Sequence, residues 1–506
     1  MNTRDLVRWA ADWVAEHAIP DPDARPAFTY RPRDLVMPAP PPSARAADRP
    51  PGSVPTVAAI ARAIRDGSAS ARDVVTACLE RIAARNAALR AFVTVLEADA
   101  LVHAERLDAE RRAGRLRGTL HGVPISVKDV IHVAGVPTTA SSKVLDDCVP
   151  REDACAVARL RAAGAVIIGK TETHEFALGV TTPQSRNPWD PSRIPGGSTG
   201  GSAIAVATGM APGALGTDTR ASIRVPAALS GVVGFKPTFG LVPTHGVITL
   251  SWSMDHVAPM AATVEDAALL LDVVAGPDPR DPNAVGPLGP PYATYAGRAV
   301  NGLRIGVPAA ALDGAEPDVA RAVETALDGL RAAGAALRTI DAPSAADLEM
   351  TNAAGMIVSR AEAATLHGPW LAERLHRYTP ETRDQLQEAS RVPATIYLAA
   401  QRLREEFRLR MLGLFADVDA IALPTSLVQA PLVGDAERFL LVLSRNCIPW
   451  SFIGFPAVSV PCGRTRARLP VGLQLVAPPF EDGRLVALGT AVEALALYTI
   501  EMPVAH

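Results

Sequence analysis

Pro195-Gly196-Gly197-Ser198-Thr199-Gly200-Gly201-Ser202 is the stretch that decides how this chain is read. Its glycines surround three hydroxyl side chains. Glycine opens backbone conformations closed to other residues and lets main-chain N–H groups approach a bound molecule. A helix-forming run, Ala203 to Met210, follows directly and the flanks are apolar, which argues against a flexible linker. Gly196-x-Ser198-x-Gly200 fits the G-x-S-x-G nucleophile elbow, but that motif must follow a buried strand. Here Asn187-Pro188-Trp189-Asp190-Pro191-Ser192-Arg193-Ile194-Pro195 precedes it, and these prolines exclude a central strand. A phosphate-binding loop fails as well, because no Gly-Lys-Ser/Thr closes the glycine run.

Two flanking segments add the chemistry. Downstream lies Gly216-Thr217-Asp218-Thr219-Arg220-Ala221-Ser222-Ile223-Arg224-Val225-Pro226, and upstream Gly122-Val123-Pro124-Ile125-Ser126-Val127-Lys128-Asp129. Together with the glycine loop they resemble the amidase signature family, whose core uses a Ser–cis-Ser–Lys triad. That family carries its lysine in a G-x-P-x-x-x-K-D segment and its bridging serine as the first hydroxyl of a G-G-S-S-G-G-type loop. Its nucleophile lies 24 residues later, in a G-T-D-x-G-G-S-x-R-x-P segment. The matching positions here are Lys128, Ser198 and Ser222, and 222 minus 198 is 24. The resemblance extends to Gly169-Lys170-Thr171, His174-Glu175-Phe176, Gly231 to Pro237, Asp255-His256, Gly454-Phe455-Pro456-Ala457 and Pro470-Val471-Gly472-Leu473-Gln474. It covers residues 55–500 or so.

The resemblance implies an amidase with Ser222 as nucleophile, Ser198 as relay and Lys128 as base. A serine hydroxyl attacks only when a neighbour removes its proton. Lysine, with an unperturbed pKa of about 10.4, is protonated at pH 7 unless burial lowers it. Lys128 would take a proton from Ser198, which takes one from Ser222. Backbone N–H groups over Thr219, Arg220, Ala221 and Ser222 would hold the oxyanion, and Gly197 and Thr199 of the glycine loop are expected to join them in oxyanion and substrate binding. For Lys128 the plainer reading is an ion pair with Asp129. One departure stands out: the family has Gly-Gly before the nucleophile, and this chain has Arg220-Ala221. A side chain there costs about 1–2 kcal/mol if φ must be positive. Arg220 either reaches a substrate carboxylate or turns away to an acidic residue behind the loop.

The rest of the chain fits an enzyme. Of 506 residues, 48% are hydrophobic and 20% charged, which gives material for a large core and excludes a mostly disordered chain. Fifty basic residues nearly balance 53 acidic ones, for a net charge of −3, and this argues against bulk nucleic-acid binding. Only four of the fifty are lysines (Lys128, Lys143, Lys170 and Lys236), which sharpens the question of what each one does. Five cysteines without a C-x-x-C pair read as reduced thiols of a cytoplasmic protein. The longest uncharged run, Ile194 to Thr217, is rich in Gly, Ser, Thr and Pro and reads as buried loop and helix rather than a membrane span.

Residues 1–17 predict a helix with Leu6, Trp9, Ala10, Trp13, Val14 and His17 on one face. That face is expected to pack either on the chain's own body or across a homodimer. A proline-rich arm follows to residue 55. Residues 56–506 form the catalytic domain. Predicted helices lie near 56–66, 71–86, 97–113, 153–163, 202–210, 264–275, 318–333, 396–415 and 483–496. Predicted strands lie near 123–127, 165–168, 303–307, 419–423, 457–461 and 471–476. This alternation gives an α/β fold, a large mixed β-sheet covered by helices on both faces. A small-molecule amide is the expected substrate, with no nucleic acid or membrane as partner. The resemblance implies no metal or organic cofactor. Three other readings stand beside the amidase: the A subunit of a glutamine-dependent tRNA amidotransferase, a biosynthetic amide acyltransferase and a non-catalytic binding scaffold.

Overall fold

Eleven strands pair into one mixed sheet in the computed structural model, which describes residues 2–17, 54–286, 289–499 and 502–503. In chain order they are β1 (Phe92–Val95), β2 (Pro124–Lys128), β3 (Val166–Thr171), β4 (Gly213–Asp218), β5 (Val233–Lys236), β6 (His256–Ala261), β7 (Arg304–Pro308), β8 (Ala336–Ile340), β9 (Ala420–Pro424), β10 (Ala457–Arg464) and β11 (Pro470–Val476). Across the sheet they run β1-β3-β2-β4-β6-β5-β10-β11-β9-β7-β8. β2 is parallel to both β3 and β4, and β7 to both β8 and β9; the other pairs are antiparallel.

Side chains of a strand alternate between the two faces of its sheet. Ala420 and Ala422 of β9 therefore join one core, with Val264 and Leu271 of helix Val264–Val274 and Leu485 of helix Asp482–Ala494. Ile421 and Leu423 join the other, with Ile357 of helix Ala345–Glu373 and Phe407 of helix Ala394–Leu414. β2, β3, β4, β6, β9 and β11 are buried at every residue, as expected of strands covered on both faces. The fold class is the expected one. Among the described residues no helix is long and apolar enough to cross a membrane.

β4, which leads into Ser222, carries no sequence signal. Its residues are Gly-Ala-Leu-Gly-Thr-Asp, poor in the branched and aromatic types that favour strands. Gly216 is small for a reason: a Cβ there would lie 2.3 Å from Thr199 Cγ2. The glycine loop rests directly on this strand.

The N-terminal helix spans Thr3–His17. Leu6, Val7, Ala10 and Val14 are buried in the second core, while Trp9 and Trp13 are half-buried and His17 is exposed. Its contacts are with helices Ala345–Glu373, Pro380–Ala389 and Ala394–Leu414 of its own chain, and Arg4 and Arg8 both pair with Glu388. The apolar face is thus covered within the chain. The proline-rich arm falls largely at 18–53, outside the described residues.

Candidate active site

Lys128 ends β2, and its side chain is fully buried. Nζ donates to three hydroxyls: Ser198 Oγ at 2.7 Å, Thr217 Oγ1 at 2.8 Å and Thr199 Oγ1 at 3.0 Å. No carboxylate pairs with it among the described residues. Asp129, the ion-pair partner open at the sequence level, instead holds Lys170 Nζ at 2.9 Å. Burial pushes Lys128 down to about 7 against the weaker pull of Asp255 and Asp218. At that value a large share of the side chain is a neutral amine near pH 7, able to accept a proton from a hydroxyl.

The glycine loop brings Ser198 to this amine. Gly196 has φ +81°, a conformation that favours glycine. A Cβ on Gly197 would lie 2.0 Å from Thr181 O, so only glycine fits there. The Gly197–Ser198 peptide is cis. Thr199 Oγ1 also donates to Thr217 O at 3.1 Å, and its amide donates to Ser222 O at 3.2 Å. This last bond ties the glycine loop to the turn that carries Ser222. Lys128 and Ser198 are wholly buried; Ser222, at 4% exposure, is the member of the three that reaches the surface.

The Ser222 turn is held from behind. Asp218, the last residue of β4, accepts from Ile223 N at 3.2 Å and from Arg224 Nε at 2.9 Å and Nη2 at 3.1 Å. Burial works to raise its carboxyl, but the Arg224 guanidinium, with Lys236 and His256, holds it below the ordinary range. Thr219 Oγ1 donates to Asp255 Oδ1 at 2.6 Å, and burial raises that carboxyl to about 6. The amides of Thr219, Arg220, Ala221 and Ser222 donate to no described residue. They are available to an oxyanion. Arg220 and Ala221 do not have positive φ, so replacing Gly-Gly costs no left-handed strain.

Arg220 departs from the expected acidic pairing. It is 7% exposed, and no acidic side chain pairs with it among the described residues. Its Nη1 lies 3.5 Å from Met356 Sδ. Thr217, which holds Lys128, is the site residue that the sequence reading did not single out. Its signal was its place two residues before Thr219 in the same motif. A cavity of about 870 Å³ lies nearby, lined in part by Ser141, His174 and Gln184. It meets the centre only indirectly, since the amide of His174 donates to Ser198 O at 3.3 Å while none of Lys128, Ser198 and Ser222 lines the cavity.

Sheet and centre together define an α/β protein with a buried lysine–serine cluster. A sequence model of the family described as Amidase matches residues 73–486. The A subunit of a glutamyl-tRNA(Gln) amidotransferase from Chloroflexus aurantiacus is 39% identical over 477 residues, 88% of this chain and 98% of that protein. An amidase from Pseudomonas putida is 39% identical over 449 residues, 87% of this chain and 95% of that protein. Among solved structures, one comes from a vestigial protein complex that bears on the evolutionary origins of an s-triazine catabolic enzyme. It matches with a TM-score of 0.83 at 33% identity, covering 88% of this chain and 100% of that one. The chain belongs to the amidase family, enzymes that act on carbon–nitrogen bonds.

Proposed function

We propose that this protein hydrolyses a carboxylic amide through an acyl-enzyme on Ser222. The observation that carries the proposal is Lys128, buried among hydroxyls with its pKa lowered to about 7. Ser222 Oγ attacks the amide carbon as its proton passes to Ser198 and that of Ser198 to Lys128 Nζ. The carbonyl oxygen becomes an oxyanion facing the free amides of the Thr219–Ser222 turn, a stabilisation worth about 3 kcal/mol for one good donor. The relay then runs backwards. Lys128 returns the proton through Ser198 to the leaving nitrogen, the C–N bond breaks, and ammonia or an amine departs. Water repeats the attack on the Ser222 ester, its proton passing to the relay, which returns it to Ser222 Oγ as the acid is released. Every step uses groups of the chain and solvent water.

A second reading, the A subunit of an amidotransferase, is supported by the 39% identity to the Chloroflexus protein. The same relay would then free ammonia from glutamine for a partner. A panel of simple amides assayed for released ammonia or amine decides between them. Turnover of non-glutamine amides by the isolated chain is expected from an amidase. Glutamine cleavage that needs a co-purifying partner would favour the amidotransferase instead. If Ser222→Ala kept full turnover, the acyl-enzyme would be wrong.

A further inference from the structure

Arg220 and Arg224 stand four residues apart, both buried, with opposite surroundings. Arg224 makes six hydrogen bonds, to both Asp218 oxygens, Cys447 O, Gln474 Oε1, Arg220 O and Ser451 Oγ. Arg220 reaches only a thioether sulfur, a weak acceptor. Its Nε and Nη2 have no partner among the described residues, and no other described side chain leaves two buried polar atoms unmet. Buried polar groups are nearly always satisfied, and a buried charge is normally paired, so such an exception calls for an explanation.

The neighbour makes the imbalance sharper. Burial, and after it the charge of a second buried cation, Arg360, drives the Arg220 guanidinium well below its ordinary pKa. Arg360 is occupied by neutral acceptors, Gln385 Oε1 at 2.5 Å and Leu178 O at 3.3 Å. Among the described residues no carboxylate is bonded to either guanidinium; Glu381 acts on Arg360 by its charge, and the Arg220 side of the pair is left for an anion to complete. Location ties this site to the chemistry. Arg220 lies two residues before Ser222. Leu178 belongs to the turn that begins at His174, whose amide donates to Ser198 O. Arg220 is thus on the turn that carries Ser222, and Arg360 is bonded to the turn that touches the Ser198 loop.

The free atoms also select the shape of the anion. Nε–H and Nη2–H form one edge of the guanidinium fork, and their spacing matches the two oxygens of a carboxylate. We propose that Arg220, backed by Arg360, binds a carboxylate of the substrate, so that the enzyme acts on amides bearing a carboxylate a few bonds from the scissile carbonyl. This rests on the amide hydrolysis proposed above. Arg220 fixes the acid group, and the carbonyl is presented to Ser222 and the free amides.

The test pairs three acids with their neutral counterparts: malonamate, succinamate and glutaramate against their methyl esters, with ammonia release as readout. For at least one pair, wild type should favour the acid by tenfold or more in kcat/KM. Arg220→Met should lose roughly 100-fold on that acid, the scale of a charge-assisted pair, mostly in KM. Its loss on the ester should be at least tenfold smaller. The variant should melt no lower than wild type, because methionine removes a buried, unpaired charge. Equal losses on acid and ester, with a lower melting temperature, would overturn the proposal and make Arg220 structural.

Labelling of Ser222 by a fluorophosphonate separates this idea from the hydrolytic reading beneath it. If Ser222 labels but no amide of the panel turns over, malonate, succinate or glutarate should still slow labelling of wild type and not of Arg220→Met. If none does, or if inorganic phosphate competes equally well, the carboxylate site is wrong. If Ser222 does not label at all, the hydrolytic reading fails. Calorimetric titration with the same dicarboxylates then decides the binding site alone, with Arg220-dependent heat expected and its absence overturning the proposal.

Discussion

Lys128 and Lys170 occupy adjacent parallel strands and share the same burial, yet their surroundings assign them different work. Lys170 pairs with Val127 in the β2–β3 register, so Lys128 and Lys170 face opposite sides of the sheet. Burial lowers the pKa of both. Lys170 is answered by the Asp129 carboxylate at 2.9 Å and Thr138 Oγ1 at 2.7 Å, and Asp129 works against the effect of burial. Lys128 meets only hydroxyls, and its charge is readily given up. A third buried lysine, Lys236, completes the comparison. Its pKa is also pushed down to about 7, by burial and then by Arg224, but its partners are Pro237 O, Phe455 O and His256 Nε2. A lowered pKa alone does not make a base. What sets Lys128 apart is its contact with the Ser198 hydroxyl, the relay in the proposed mechanism. The fourth lysine, Lys143, is exposed.

The largest expected effect separates Lys128 from the other two. Lys128→Ala and Lys128→Arg should each lower kcat/KM by about three orders of magnitude or more, since alanine removes the base and guanidinium cannot lose its proton. Steady-state kinetics with circular dichroism checks this, and the fold should persist. The stability signature is also distinctive. The folded pKa of Lys128 lies below its unfolded value of about 10.4, so the unfolded chain binds more protons between pH 7 and 10. Wild-type stability should therefore gain from this group as pH rises through that window. Lys128→Met should show a shallower slope.

Lys170→Met should do the reverse. It leaves Asp129 as a buried, unpaired carboxylate and should cost about 3–5 kcal/mol in denaturant unfolding, with activity per folded molecule largely kept. A stable but inactive Lys170→Met would erase the contrast between the two lysines.

Smaller effects refine it. Thr217→Val removes one of the three hydroxyls around Lys128 and should lower kcat/KM roughly tenfold, the size of one hydrogen bond to a charged or polarised group. Smallest of all, Glu388→Gln removes the exposed pairs with Arg4 and Arg8 and should cost about 1 kcal/mol or less in thermal unfolding. A larger loss would give the N-terminal helix more weight in stability than its buried Leu6, Val7, Ala10 and Val14 suggest.

What the sequence made legible follows from where the constraint is local. Lys128, Ser198 and Ser222 stand in short segments whose spacing carries the family resemblance, and Gly197 sits where any side chain would strike Thr181 O. β4 was hidden because its glycines answer close neighbours rather than a strand preference: Gly216 the loop packed on it, Gly213 the side chains of Leu270 and Ile125. Helix Ala345–Glu373 was hidden because it is buried on more than one side. Ala353, Ala354, Gly355, Met356, Ile357 and Val358 are consecutive and all buried, which removes the one-face periodicity that marks a surface helix. The surroundings of Arg220 depend on that same helix, through Met356 and Arg360, so its two readings could not be separated from the chain alone. The predicted face of the N-terminal helix was nearly right, with Val7 in place of the exposed His17.

The central claim is that neutral Lys128 activates Ser222 through Ser198. The most direct test is the rate of fluorophosphonate labelling as a function of pH, with the modified residue located by peptide mass spectrometry. Below pH 7 the ammonium cannot accept a proton and labelling should be slow; above it the rate should rise to a plateau, with a midpoint at about 7. The label should sit on Ser222, and Lys128→Arg should lose the rise. A rate independent of pH, a rise that survives in Lys128→Arg, or a label on Ser198 would contradict the claim.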